Sequence, residues 1–168
     1  MDFITTTPEE INKNVFKTIG RQWMLISAGD EEKMNTMTAS WGGLGVLWNK
    51  NVCFTFIRDS RYTLEFIDSK DYFSLSFFGG EHMDELVFCG RNSGRNTDKL
   101  KETGLTAVYD LEAPYFEQAE MVMICKKLYK QKMNAESFID KTLVDKNYTD
   151  NDWHEFIVGE IVKVLKKG

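Results

Sequence analysis

From residue 23 onward, apolar residues recur at every second position, the period of a strand with one face turned to a core. Residues 23–27, 37–41, 52–57 and 72–77 each carry this pattern. In the last of them Phe73, Leu75 and Phe77 share one face, while Ser74 and Ser76 share the other. Two longer strands are predicted over residues 120–132 and 154–165. In the second, Phe156, Val158, Val162 and Val164 alternate against Ile157, Ile161 and Leu165. Both faces are thus partly apolar, as in a barrel strand that also meets a helix or a partner subunit. Gly42, Gly43 and Gly45 interrupt the second strand region and mark a bend or bulge of the kind that barrel closure requires.

Helical signals are short. Thr7-Pro8-Glu9-Glu10 combines a hydroxyl cap, a proline in the first turn and an acid three residues after the cap. Ile11 and Val15 then fall on one face, so a helix is predicted to end near Gly20. Residues 1–20 read as an N-terminal helical extension that packs on the barrel or on a second subunit. Further helices are predicted over 61–69, 83–88 and 98–103, with Gly104 as a stop. No internal repeat or low-complexity stretch interrupts the chain. The expectation is a single domain over residues 1–168, mainly β, built as a mostly antiparallel barrel with short helices.

Composition narrows the function. With 42% hydrophobic residues, 13% aromatics and only two prolines, the 168-residue chain has the makeup of a packed globule. A net charge of −5 argues against general nucleic-acid binding, which needs a basic surface to replace counterions. Lys126, Lys127, Lys130 and Lys132, and likewise Lys163, Lys166 and Lys167, read as solvated faces. No apolar run approaches the roughly 20 residues that span a bilayer. The first residues lack the basic and apolar regions of a signal peptide, so no membrane partner and a cytoplasmic location are expected. Cys53, Cys89 and Cys125, odd in number and widely spaced, fit reduced intracellular thiols.

Several chemistries find no residues to carry them. His82 and His154 are far apart and outside any metal-ligand spacing, so no metal is expected, and each reads as a surface or hydrogen-bonded histidine. Neither a Gly-x-Gly-x-x-Gly after a strand nor a Gly-x-Ser-x-Gly elbow is present. Cys89 reads as a buried, inert thiol. No residue is assigned a catalytic role.

What remains is a binding pattern. Asn35-Thr36-Met37-Thr38-Ala39-Ser40-Trp41 mixes small hydroxyl residues with one large aromatic, which suits a flat, polar-edged ring lying against strand backbone. After the strand at 52–57 comes Arg58-Asp59-Ser60-Arg61-Tyr62-Thr63. Here Ser60 is expected to cap the helix beginning at Arg61, with Thr63 in its third position. The free N–H groups of such a turn attract an anion, and Arg58 and Arg61 supply fork-shaped donors that match phosphate. The competing reading is a capped surface helix whose arginines pair with Asp59 or Glu65. Ser93-Gly94-Arg95 with Lys99, beyond a cap at Asn96 or Thr97, reads on its own as a solvated loop.

In order and spacing, these segments, with Cys89 to Lys99 and the terminal strand 156–162, resemble the flavin reductase-like family with the FMN-binding split-barrel fold, including flavoredoxin-type proteins. The resemblance covers about residues 20–165. It implies FMN as cofactor, with the ring against Thr38, Ala39 and Ser40 and with Asn35, Met37 and Trp41 beside it. It places the phosphate at Arg58, Ser60, Arg61, Tyr62 and Thr63, and makes Ser93, Gly94, Arg95 and Lys99 a second wall. It implies hydride transfer from NADH or NADPH to the flavin, which needs orientation more than an acid or base. It also implies a homodimer with the site at the subunit interface. An FMN electron carrier serving a redox partner protein is the alternative. An oxidase of the related pyridoxamine-phosphate type and a barrel without its ligand fit the residues less well.

Overall fold

A computed structural model describes residues 2–168. The strands are β1 (Phe3–Thr6), β2 (Met24–Gly29), β3 (Met34–Ala39), β4 (Gly42–Leu47), β5 (Lys50–Arg58), β6 (Tyr72–Phe77), β7 (Ala107–Val108), β8 (Tyr115–Phe116), β9 (Met121–Lys132) and β10 (His154–Lys167). The helices are α1 (Val15–Gly20), α2 (Tyr62–Ser69), α3 (Met83–Arg91), α4 (Lys99–Thr103) and α5 (Thr142–Asn147), with single 3₁₀ turns at Pro8–Glu10 and Ala135–Ser137. The main sheet is antiparallel in the order β3-β2-β6-β9-β10-β5-β4, and β1 pairs with the end of β10. β3 and β4 follow each other in sequence yet lie at opposite edges of this path, joined only through Ser40 and Trp41. The sheet therefore curls on itself and stays open along that seam. This is the barrel with short helices that the strand periodicity predicts.

Alternation divides the core in two. Met24, Ile26, Phe73, Leu75, Phe77, Met123 and Ile157 fill one cluster with Leu64, Phe66 and Ile67 of α2. On the other face Leu25, Val122 and Ile124 pack with Leu86 and Cys89 of α3, with Leu105, and with Tyr115 and Phe116 of β8. Phe73, Leu75 and Phe77 do share a face. Ser74 and Ser76 are buried on the other, with the Ser74 hydroxyl donating to the Pro114 carbonyl. β10 bends by register shifts between Val158 and Gly159 and between Ile161 and Lys163, letting one long strand serve β9, β5 and β1. A Cβ on Gly159 would stand 2.7 Å from the Phe73 ring and 3.1 Å from the Cys125 Cβ, so the interior there is closed by the lack of a side chain.

Three local expectations need correction. The N-terminal extension is not one helix: Phe3–Thr6 is a strand, Pro8–Glu10 a single turn, and α1 begins only after Asn14, whose side chain accepts from the Lys17 N–H at 3.1 Å. The predicted break falls at Ser40–Trp41 and Gly42, whose φ is +152°, whereas Gly43 and Gly45 lie inside a regular edge strand. α3 continues to Arg91. Residues 133–153, to which no element was assigned, form an arm carrying α5. No helix among the described residues is long and apolar enough to cross a membrane.

Candidate functional site

As a sheet edge, β3 leaves alternate backbone N–H and C=O groups without a strand partner. α2 and the segment after α3 pack beside it, and a row of cavities runs along this edge. The first, about 200 Å³, is lined by Met37, Thr38, Ala39, Ser40, Trp41, Phe56, Arg58, Arg61 and His154. The next, about 140 Å³, lies between Asn35 and Met37 on one side, Ser60–Thr63 on another, and Arg91–Gly94 with Lys99 on the third. Met37 and Arg61 border both. Arg95 faces a further cavity past Asn35. The structure thus gathers onto one strip the residues that lie far apart in the sequence.

Ser60 does not cap the helix as expected. α2 starts at Tyr62 with Arg61 in the capping position, and Asp152 of the arm binds Ser60 instead. One Asp152 carboxylate oxygen accepts the Ser60 backbone N–H at 3.0 Å, and the other accepts its hydroxyl at 2.5 Å. Thr63 is consequently the second helical residue. The N–H groups of Tyr62 and Thr63, in the first turn of α2, have no partner within the helix, and both residues line the 140 Å³ cavity.

The two arginines differ. Arg58 donates to the carbonyls of Asp152 at 2.7 Å and Asn147 at 2.9 Å, and lies over the Tyr148 ring at 5.3 Å. It therefore fastens the arm to β5. Arg61 donates from one nitrogen to the Gly90 carbonyl at 2.6 Å, which leaves the other donors of its fork for a ligand. Neither pairs with Asp59 or Glu65: Asp59 pairs with Lys132, and Glu65 with Arg95.

The remaining side chains brace the walls. The Asn35 amide donates to the Thr63 hydroxyl at 2.9 Å, and the Thr38 hydroxyl donates to the Leu86 carbonyl. Gly94 lies so near Asn35 that a Cβ would be 2.0 Å from its Oδ1. α4 begins at Lys99 itself with Asp98 as cap, contrary to the expected cap at Asn96 or Thr97. Lys99 is buried, donating to the carbonyls of Thr36 at 2.6 Å and Cys89 at 2.8 Å. Burial, reinforced by Arg61, pulls its ammonium down to about 8. Burial pushes the Cys89 thiol up to about 11, so it stays neutral.

Three contributors escape the sequence reading. His154 opens β10 directly opposite Arg58, is buried, and lies 5.2 Å from the Trp41 ring. Burial, then Arg58, pulls its imidazole down to about 4, so it is neutral at ordinary pH. Tyr148 of the arm sits with its hydroxyl 2.8 Å from His154 Nδ1 and stacks on Trp153 at 4.5 Å. Asp152 holds Ser60. The available signal was Asp152-Trp153-His154 entering a strand that pairs with the phosphate segment, a relation that only register reveals.

The ring pocket offers apolar contact from Met37, Ala39, Trp41 and Phe56 with polar groups on its rim, and the neighbouring cavity offers helix N–H groups and cations. That combination fits a flat heterocycle joined to a phosphate.

Comparison with known proteins gives the family and the fold. Residues 16–167 match the flavin reductase like domain. Flavoredoxin from Methanosarcina acetivorans superposes with a TM-score of 0.66 at 22% identity, covering 96% of this chain and 76% of that one. An FMN-binding domain of a flavin reductase-like enzyme from Shewanella baltica gives 0.70 at 14% identity, covering 98% and 77%. The styrene monooxygenase flavin reductase from Pseudomonas putida gives 0.61 at 12% identity, covering 85% and 77%. No curated protein matches. With the match running over nearly its whole length, the chain belongs to the flavin reductase-like family.

Proposed function

We propose that the protein binds FMN along the edge of β3 and acts as an NADH- or NADPH-dependent flavin reductase. The observation that carries this reading is the row of two cavities: an apolar, polar-rimmed pocket at Met37–Trp41, and beside it the free first turn of α2 with Arg61. The flavin, when bound, supplies the capacity to accept a hydride and pass on its electrons. Met37, Ala39 and Trp41 hold the ring faces. Backbone and hydroxyl groups of Thr38 to Ser40 meet its edge. Arg61 and the N–H groups of Tyr62 and Thr63 take the phosphate, with Ser93 and Gly94 as the opposite wall. Trp41, 48% exposed, stands where a nicotinamide must enter. His154 stays neutral and orients without transferring a proton.

Support for the reductase reading is the likeness to a flavin reductase of a monooxygenase system. The likeness to flavoredoxin favours the second reading, an FMN electron carrier with a protein partner. Anaerobic addition of NADH or NADPH to FMN-loaded protein separates them. A reductase bleaches its flavin saturably, at about 1 s⁻¹ or faster. Reduction by dithionite but by neither nucleotide establishes the carrier.

The working form in this proposal is a homodimer. Outside the barrel, Phe156 stacks on Phe54 at 5.9 Å and on Phe56 at 5.3 Å, with Tyr129 at its edge and Trp48 beyond. Trp48, 55% exposed, extends this apolar face. It adjoins a groove of about 630 Å³ between Phe56, Phe156 and the arm. Such a face needs cover, and a second copy supplies it.

A further inference from the structure

Tyr148 brings a hydroxyl from the arm to His154, which lines the ring pocket. It closes α5, where its backbone N–H donates to the Val144 carbonyl at 2.9 Å. Its ring is stacked on Trp153 at 4.5 Å, edge-on to Phe138 at 5.7 Å, and under the Arg58 guanidinium at 5.3 Å. The residue is buried, so its hydroxyl needs a partner within the protein.

That hydroxyl lies 2.8 Å from His154 Nδ1 and 3.8 Å from the Met133 sulfur. An imidazole nitrogen is a strong acceptor and a thioether sulfur a weak one, so the O–H points to Nδ1. The reverse arrangement, with Nδ1–H donating to the phenol oxygen, would leave the O–H only the sulfur. Burial lowers the pKa of the imidazole to about 4 and raises that of the phenol, so both groups are neutral at ordinary pH. A neutral imidazole carries one proton, and with Nδ1 accepting, that proton sits on Nε2.

Nε2 makes no hydrogen bond among the described residues. Ser76 Oγ is the one sealed side-chain polar atom without a partner among them, so Nε2 is open to the cavity that His154 lines. Arg58 and Arg61 are the charged residues of that lining, which holds no carboxylate. Arg58 spends its two terminal nitrogens on the carbonyls of the arm. The pocket therefore meets a ligand with donors, from Arg61 and from His154.

We propose that Tyr148 is a positioning residue: by donating to Nδ1 it holds the proton of His154 on Nε2, facing the ring pocket, and so makes that pocket select a ring edged with carbonyl oxygens or bare ring nitrogens. The opposite tautomer would turn a lone pair toward the same acceptor, replacing attraction by repulsion. Tyr148 itself touches no ligand and acts only through His154. The proposal rests on the flavin reading for the identity of the ring alone.

Nitrogen NMR of the flavin-free protein, isotopically labelled in its histidine rings, reads the tautomer directly, and His154→Gln assigns the signal against that of His82. The wild type is expected to show a bare Nδ1 and a protonated Nε2 at His154. Tyr148→Phe keeps the ring and its stack on Trp153 but should let a measurable share of the proton move to Nδ1. Titration with FMN and riboflavin is the second readout. Tyr148→Phe should weaken both by the same factor, roughly fivefold, because both carry the ring. In the His154→Gln background the same change should cost nothing further, since its effect passes through the imidazole. A wild-type proton on Nδ1, an unchanged tautomer in Tyr148→Phe, or an equal loss of flavin affinity in both backgrounds each overturns the proposal. Failure to bind either flavin, with the Tyr148-dependent tautomer intact, removes the flavin reading and leaves the positioning of the proton standing.

Discussion

Asp152 accepts two hydrogen bonds from Ser60, one from its backbone N–H and one from its hydroxyl. A carboxylate of the arm therefore takes the donors that a phosphate was expected to use. Arg58, two residues earlier, is held by the same arm through the carbonyls of Asp152 and Asn147. The segment that reads as one phosphate site has a second duty: Arg58 and Ser60 secure the arm while still lining the two cavities, and Arg61 lines both cavities without holding the arm.

This second duty predicts a double-mutant result. Ser60→Ala and Asp152→Ala should each lower stability by about 1–2 kcal/mol, since a hydrogen bond to a charged group is lost near the surface. Both changes remove the hydroxyl–carboxylate bond, and Asp152→Ala also removes the bond from the Ser60 backbone N–H, so the double variant should cost about as much as Asp152→Ala alone. Urea denaturation of the four proteins measures it, and additive losses would place Ser60 and Asp152 in separate roles. The ratio of FMN to riboflavin affinity should stay unchanged in Ser60→Ala.

Arg61 should behave differently from Arg58. Arg61→Ala is expected to weaken FMN roughly tenfold or more while leaving riboflavin nearly unaffected, because only FMN carries the phosphate. Arg58→Ala should lower thermal stability through loss of the arm's anchor, with a similar effect on both ligands. Fluorescence titration of each variant with the two flavins decides. Equal losses for Arg61→Ala would assign it to the Gly90 carbonyl alone.

Much of this was legible beforehand, for identifiable reasons. Period-two patterning exposes the barrel strands because one face of each, as with Phe73, Leu75 and Phe77, is wholly apolar. β1 escaped because Phe3–Thr6 is a short edge strand with mixed exposure, and its pairing with β10 is a long-range fact. The cavity strip was visible as Asn35 to Trp41 and Arg58 to Thr63, two segments far apart in sequence that line adjacent cavities in the fold. The arm was not, because its hold on Arg58 and Ser60 spans about ninety residues of sequence and uses backbone carbonyls that no side-chain pattern announces.

His154 predicts a pH dependence. Burial lowers its pKa from the ordinary 6.5 to about 4 in the folded chain. The unfolded state therefore binds a proton that the folded state refuses as pH falls through that window. Stability contributed by the neutral imidazole is full above about 6.5 and is lost progressively toward 4. Carboxylates titrate nearby, so the difference between the wild type and His154→Gln isolates the effect. The wild-type melting temperature should fall more steeply than that of the variant between pH 6.5 and 4, and parallel curves would show that the ring titrates normally.

Gly159→Ala should destabilise the fold by about 1–3 kcal/mol. The added methyl would lie 2.7 Å from the Phe73 ring, itself fully buried, and overpacking of a closed interior has that cost. Gly159→Ala combined with Phe73→Leu should recover part of the loss by freeing the space the methyl needs. Denaturant midpoints of the single and double variants measure this, and an unchanged midpoint in Gly159→Ala would mean that β10 shifts freely at its bulge.

The aromatic face makes the last prediction. Phe156 sits at the centre of the outer cluster, stacked between Phe54 and Phe56 with Tyr129 against its edge. Phe156→Asp would put a charge at the middle of a dimer interface, where desolvation without a partner is costly, while leaving the barrel interior untouched. The wild type should sediment as a dimer at micromolar concentration and the variant as a monomer with an unchanged circular dichroism spectrum. If the flavin pocket is completed by the second copy, the variant should also bind FMN more weakly, and concentrating it should restore dimer and FMN together. A wild type that stays monomeric of about 20 kDa at high concentration with flavin bound would show that this face serves another protein.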